Sequence, residues 1–263
     1  MDLFAAYANL GDVALLAGLA ALRVAVAFVL LPVFAPDTIP ATVRSAIFLA
    51  LGLLSLALQP VVPVERFDTL QWLLMFGREI VIGLALGFTL AALLWAFEAA
   101  GSIVDTKVAV ANGQIADPMA GESLTPTATM LGRIAGYLFM AGGGFMLYVG
   151  VLVESYRLWP LATPGFAPKL GAVAVFERAL GDLMLLALLL AAPLLVVMYA
   201  IDLALGLVNR FAPQLNLIPL SMSLKQLAAL AVWAIVLGNL VQAFGDELGR
   251  RLAAALPLLQ RMF

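Results

Sequence analysis

GSIVDTKVAVANGQIADPMAGESLTP, residues Gly101 to Pro126, is a polar interruption near the middle of an otherwise strongly apolar chain, and its reading decides where the long helices end. Asn112-Gly113 and Asp117-Pro118 are turn formers, because Asn and Gly tolerate positive φ and Pro biases the residue before it away from helix. Upstream, Ile103, Val104, Val108 and Val110 still mark an apolar helical face, so the preceding helix is expected to run to about Ala111. A small-residue loop follows, and two readings fit it. It is either an aqueous connection between membrane helices or a segment that enters a protein-lined cavity, since irregular backbone at membrane depth survives only inside protein or along water.

Composition sets the class. Of 263 residues, 64% are hydrophobic and 11% charged, against about 45–50% apolar in a soluble domain. This is the composition of an integral membrane protein, and its polar breaks leave no room for a separate soluble domain. A net charge of -2 without any Lys/Arg cluster offers nothing for nucleic acid. Cys and His are both absent, which removes disulfides, thiolate nucleophiles and the usual zinc and general-base chemistry. No cofactor is implied. Asp2 and Asp12 precede the first apolar run without any Lys or Arg, so the first helix reads as retained rather than as a signal peptide.

Outward from the central loop, six apolar segments are expected. Val13 to Phe34 and Val43 to Val62 form a hairpin across APDTIP, where Pro36 and Pro40 bracket a turn. Leu70 to Ala100 has 31 residues without a proline. As one helix it measures about 46 Å against a hydrocarbon core of about 30 Å. Its Gly83-x-x-x-Gly87 gives a small face for close helix contact. Thr129 to Val153 forms the fourth segment and contains Gly142-Gly143-Gly144, with Tyr156 and Trp159 beyond it suited to an interface. Ala179 to Asn209 and Ser221 to Leu256 make a C-terminal hairpin, with Pro193 expected to kink its first arm. The Lys/Arg distribution leans towards cytoplasmic termini.

Arg23, Arg78, Glu79, Glu98, Asp182, Asp202 and Lys225 all fall within these segments. A central charge costs about 2.5–3.5 kcal/mol on insertion scales, so something must shield them. Arg44 can snorkel; Arg23 sits too deep and needs a protein partner or water. Structural ion pairs, an ion or proton relay, and contacts to other subunits all fit. Asp202 and Lys225, each about a dozen residues from Pro213, lie level in antiparallel arms and are expected to pair.

Five stretches together resemble one family, the T subunit of the type III secretion export gate (SctT in injectisomes, FliR in flagella). They are LPVFAPDTIPATVRSAI, GREIVIGLALGF, AGSIVDTKVAVANGQIADP, ESYRLWPL and NRFAPQLNLIPLSMSLK, in that order along nearly the whole chain. ESYRLWP and DPMAGESLTP are more similar to the injectisome branch than to the flagellar one. The resemblance implies an all-α membrane protein of about six long helices in hairpins. Residues 1–178 would be R-subunit-like (FliP-like), with a central loop over about 101–127, and residues 179–263 an S-subunit-like (FliQ-like) hairpin. It implies a non-enzymatic, multi-pass subunit of a hetero-oligomeric protein-conducting channel in the bacterial inner membrane. Its partners would be SctR (FliP-like), SctS (FliQ-like), the switch protein SctU (FlhB-like) and SctV (FlhA-like), with secreted proteins in transit and lipid around it. By the same resemblance Val108 to Asp117 is a plug closing the channel, with Val108, Val110, Asn112, Gly113, Gln114, Ile115 and Asp117 as its residues. The resemblance places the tip carrying Arg210, Pro213, Gln214 and Asn216 on the cytoplasmic side, against the Lys/Arg count, and in contact with a partner. An ion-coupled transporter and a membrane-embedded enzyme are the competing classes. The first lacks matched broken helices in two halves, and the second lacks a compact acid, His or Cys cluster.

Overall fold

The computed structural model describes residues 10–36, 38–59, 68–112, 125–161, 171–212 and 217–262. Among them the secondary structure is helical, with no strand. The α-helices are α1 (Leu10–Val29), α2 (Ala41–Ala57), α3 (Thr69–Asn112), α4 (Pro126–Ala141), α5 (Gly144–Leu158), α6 (Gly171–Phe211) and α7 (Leu217–Met262). The three longest, α3, α6 and α7, have 44, 41 and 46 residues. The 44 residues of α3 extend about 66 Å, twice the hydrocarbon thickness.

Several boundaries differ from the sequence reading, each for a local reason. The first segment does not stay helical to Phe34: α1 ends at Val29, and Pro32–Phe34 form a 3-10 turn that starts on a proline, whose missing N–H costs nothing there. Arg44 Nη1 donates to the Phe34 carbonyl at 3.0 Å, closing that turn. The fourth segment is two helices rather than one. Gly143, with φ 75°, adopts the left-handed conformation that an L side chain resists, and the chain bends between α4 and α5. α6 runs as one helix through Pro193, in keeping with a segment expected to continue past it.

Three helices are long and apolar enough to cross a membrane, α3, α6 and α7, and α4 with α5 makes a fourth if the bent pair counts as one span. α1 and α2 are shorter apolar helices. The chain is therefore an all-α membrane protein in which the six expected spans become three or four long ones and two short ones. In the most apolar window, 67% of α3 is buried, against 28% of α6 and 17% of α7. The first is enclosed by this chain; the other two leave most of their apolar surface to whatever surrounds it.

The described chain divides into two compact units. Residues 1–92, 139–180 and 248–263 form the first, and 93–138 and 181–247 the second. In the first, α1 packs along α2 and α3 through small residues. A Cβ on Gly83 would stand 2.7 Å from the Arg23 carbonyl oxygen, and one on Gly87 2.7 Å from that of Ala27. The four-residue spacing is the same on both helices, so Gly83 and Gly87 form the slot into which the α1 backbone fits. Beyond it Phe28, Phe34, Phe48, Phe145 and Tyr148 pack ring on ring, Phe28 and Phe34 edge to face at 4.8 Å. In the second unit, Phe97 of α3 meets Phe244 of α7 edge to face at 5.3 Å.

The slot gives a direct test. Gly87→Val is expected to destabilise the purified protein by about 1–3 kcal/mol, because neither backbone can yield. Gly150→Ala, where nothing lies within 4 Å of the added carbon, should be neutral or slightly stabilising. Thermal unfolding in detergent of the two variants, with equal losses, would show that the slot has no special role.

Candidate functional site: buried charges in two helical units

Arg23 lies in the middle of α1, fully buried. A guanidinium carries five N–H donors in a planar fork, and all of them need acceptors once water is excluded. Its Nε donates to Glu79 Oε2 at 2.6 Å and its Nη2 to Glu79 Oε1 at 3.0 Å, a two-pronged pair with an equally buried carboxylate. Nη1 donates to Ser155 Oγ at 3.1 Å, Nη2 also to the Trp159 carbonyl at 3.0 Å, and the guanidinium carbon stands 4.0 Å from the Tyr156 ring centre. Tyr156 in turn donates its hydroxyl to the Ala20 carbonyl, one turn back along α1. The sequence reading placed Tyr156 at a membrane interface. It is instead buried against Arg23, where its ring face and its hydroxyl both find partners.

The same cluster closes the end of α5. The last carbonyls of a helix have no partner within it and carry the negative end of its dipole. Here the Trp159 carbonyl accepts from Arg23, the Pro160 carbonyl from Arg78 Nη1 at 3.0 Å, and the Tyr156 carbonyl from Gln59 Nε2 at 3.4 Å. Gln59 Oε1 also accepts from the Leu161 N–H at 3.0 Å. Two arginines, one glutamate and a helix C-terminus therefore form a nearly balanced set of charges. Gln59 and Ser155 were missed in the sequence, because a single amide or hydroxyl in an apolar run carries no periodic signal.

In the second unit Asp202 of α6 pairs with Lys225 of α7, as their level spacing predicts, and its other oxygen is 3.1 Å from Lys107 Nζ of α3. Lys107 Nζ also stands 4.3 Å from the Tyr199 ring centre, one turn from Asp202. Two residues away Asp105 accepts from the Thr127 N–H at 2.7 Å and from its hydroxyl, so it caps the N-terminus of α4 from α3. One turn earlier on α3, a Cβ on Gly101 would meet the Ala128 backbone at 2.5 Å. Glu98 is half-buried with its side chain over Gly132. Asp182 is exposed in the isolated chain.

Val108, Val110 and Asn112 are helical, in the last turns of α3, close to the helix end expected at about Ala111. Gly113, Gln114, Ile115 and Asp117 lie outside the described residues, as do Pro213, Gln214 and Asn216. Arg210 is exposed in the last turn of α6.

The profile of "Bacterial export proteins, family 1" matches residues 14–250. The chain is similar to the Yop proteins translocation protein T of Yersinia pestis, 34% identical over 208 residues, which cover 77% of this chain and 78% of that one. It is similar to the surface presentation of antigens protein SpaR of Salmonella typhimurium, 29% identical over 227 residues, 84% of this chain and 82% of the other. The flagellar biosynthetic protein FliR of Escherichia coli K12 is 29% identical over 187 residues, 71% and 69% of the two chains.

Arg23→Met and Glu79→Leu are each expected to cost about 3–5 kcal/mol, since either leaves a buried charge unpaired. The double change should cost clearly less than the sum. A double-mutant cycle on detergent unfolding measures the coupling, and additive losses would show that the pair is not a unit.

Proposed function

The chain belongs to the bacterial export proteins of family 1, and from that membership we propose that it is the T subunit of a type III secretion export gate, part of a protein-conducting channel in the bacterial inner membrane. The observation that carries this is the profile match over residues 14–250, with no large part of the helical body left outside it. The higher identity to a Yop translocation protein than to a flagellar relative favours the injectisome branch. In this reading residues 1–178 are the R-like part and 179–263 the S-like hairpin. R and S subunits (SctR and SctS, FliP-like and FliQ-like) pack beside the chain, and SctU (FlhB-like) and SctV (FlhA-like) dock on its cytoplasmic side, at the tip that holds Arg210, Pro213, Gln214 and Asn216. The role is conduction rather than catalysis.

The exposed apolar surface of α6 and α7 supports an assembled state. Leu185, Leu188, Leu189, Leu203 and Leu207 on α6 and Leu227, Leu230 and Ile235 on α7 are all more than half exposed in the isolated chain. Lipid or neighbouring helices must cover a surface of that size.

The segment from Val108 to Asp117 acts as the plug, with Val108 to Asn112 forming its helical stem. Ala109, Ala111, Gly113 and Ala116 are small, so each buries little area at about 25 cal/mol per Å². Asn112 and Gln114 exchange protein hydrogen bonds for water at little net cost. Contacts of this kind close a pore without locking it. Deleting Asn112 to Ile115 should leave subunit assembly largely intact and make membranes carrying the whole gate leak ions or small solutes. Loss of assembly without leak, or an assembled and fully sealed gate, would each reject the plug.

A further inference from the structure

Arg23, Arg78, Glu79, Asp202 and Lys225 each find a polar partner within this chain. Glu98 of α3 does not. Among the described residues nothing donates to its carboxylate and no cation pairs with it. Its place is nonetheless well defined. α3 crosses α4 closely, Gly101 against Ala128 and Glu98 against Gly132, and a Cβ on Gly132 would stand 2.7 Å from Glu98 Oε1. The side chain that Gly132 lacks is the seat in which the carboxylate lies. Arg133, the next residue on α4, is turned about 100° away around the helix and does not pair with Glu98. Glu98 is half-buried, as are Trp95 and Ala99 beside it on α3, so this chain covers only part of the carboxylate.

What covers the rest must answer its charge. Glu98 is ten residues from the nearer end of the apolar span 69–108, about 15 Å along the helix, and a glutamate side chain is too short to reach a headgroup from there. Lipid tails offer no donor, and the ammonium of a zwitterionic headgroup stays at the interface. A cation brought to the same depth on another helix meets the need. We infer that Glu98 is one half of an ion pair between subunits, the other half being an arginine or lysine on a helix of a neighbouring subunit that packs over Glu98 and Gly132. The small Gly132 lets that helix approach, and Trp95 and Ala99 supply an apolar rim that keeps water from the pair and so strengthens it. A helix presenting an aliphatic or acidic side chain at this level would leave the carboxylate unmet, so Glu98 selects which neighbour docks here and in which register. The inference rests on the assembled state proposed above, because a chain working alone has no neighbour to supply the cation.

The sample for the test is the whole gate, purified with its R- and S-type subunits. Glu98→Gln keeps the shape of the side chain and removes its charge. It should lower the yield of assembled gate several-fold, since the neighbour's cation is left buried and unmet. The unfolding midpoint of the chain purified alone in detergent should stay where it was or rise slightly, there being no partner to lose. A photo-crosslinking benzoylphenylalanine at Ser102, one turn beyond Glu98, should capture a peptide of another subunit that contains Arg or Lys. Changing that cation to Met should lower the yield by itself and add little on top of Glu98→Gln. An unchanged yield for Glu98→Gln overturns the pair. Capture of lipid alone, or of a peptide without Arg or Lys, overturns it too, and so does an equal loss of stability in the chain alone, which would make Glu98 an internal packing group. If the unchanged chain does not purify with R- and S-type subunits, the export-gate reading falls and the pair falls with it. A gate that forms normally and is indifferent to Glu98→Gln rejects the pair only.

Discussion

A guanidinium buried in the middle of an apolar helix admits few solutions. Taking Arg23 out of water costs several kcal/mol even after relaxation, and the cost is recovered only where every donor has a well-placed acceptor. Those acceptors come from α3, as the Glu79 carboxylate, and from α5, as Ser155 Oγ and the Trp159 carbonyl. Glu79 lies 56 residues along the chain from Arg23, Ser155 132 and Trp159 136. Apolar packing tolerates sliding, since one leucine contact resembles the next. A two-pronged ion pair does not, because moving α1 by one turn along α3 would place Arg23 opposite Met75 or Gly83, neither of which offers a carboxylate. The Gly83 and Gly87 slot lies one and two turns beyond Glu79 on α3, so the register set by the ion pair is also the one in which the two backbones can approach. Charge and steric fit select the same alignment of α1 on α3.

The second unit uses charge in a different regime. Asp202 and Lys107 leave about a third and a quarter of their side chains uncovered by the described chain, and only Lys225 is enclosed. The strength of a pair only partly enclosed by its own chain depends on what covers the rest of it. The described contacts therefore form two classes: an enclosed cluster that fixes helix register, and a partly uncovered one that joins the end of α3 to α6 and α7.

Much of this was legible in the residues. α3 as one long helix, its run past Ala100, the small face at Gly83 and Gly87, the need of Arg23 for a partner, and the Asp202–Lys225 pairing all follow from period, length and the cost of burying charge. The break inside Thr129 to Val153 did not, because apolar periodicity continues across Gly142 and Gly143 while the left-handed φ of Gly143 leaves no trace in hydropathy. Tyr156 was misplaced for a related reason: an amphipathic ring satisfies a membrane interface and a buried arginine equally well, and only the fold chooses. Lys107 was hidden by its place at a helix end, where a cation looks solvated, and its second acceptor lies almost a hundred residues away on α6.

The family stretches have a physical meaning in this arrangement. LPVFAPDTIPATVRSAI contains both Phe34 and Arg44, which close the turn after α1. GREIVIGLALGF supplies Arg78, Glu79 and the glycine slot, and ESYRLWPL supplies Ser155, Tyr156 and the carbonyls that receive two arginines. AGSIVDTKVAVANGQIADP brings Asp105 and Lys107, and NRFAPQLNLIPLSMSLK brings Lys225. Each stretch thus owns at least one polar contact inside the helical body. In a chain that is 64% hydrophobic, leucine, valine and alanine substitute for one another at small cost, while a buried donor or acceptor has a single geometric solution. These stretches are then the ones that bring together the polar groups that must meet one another within each unit.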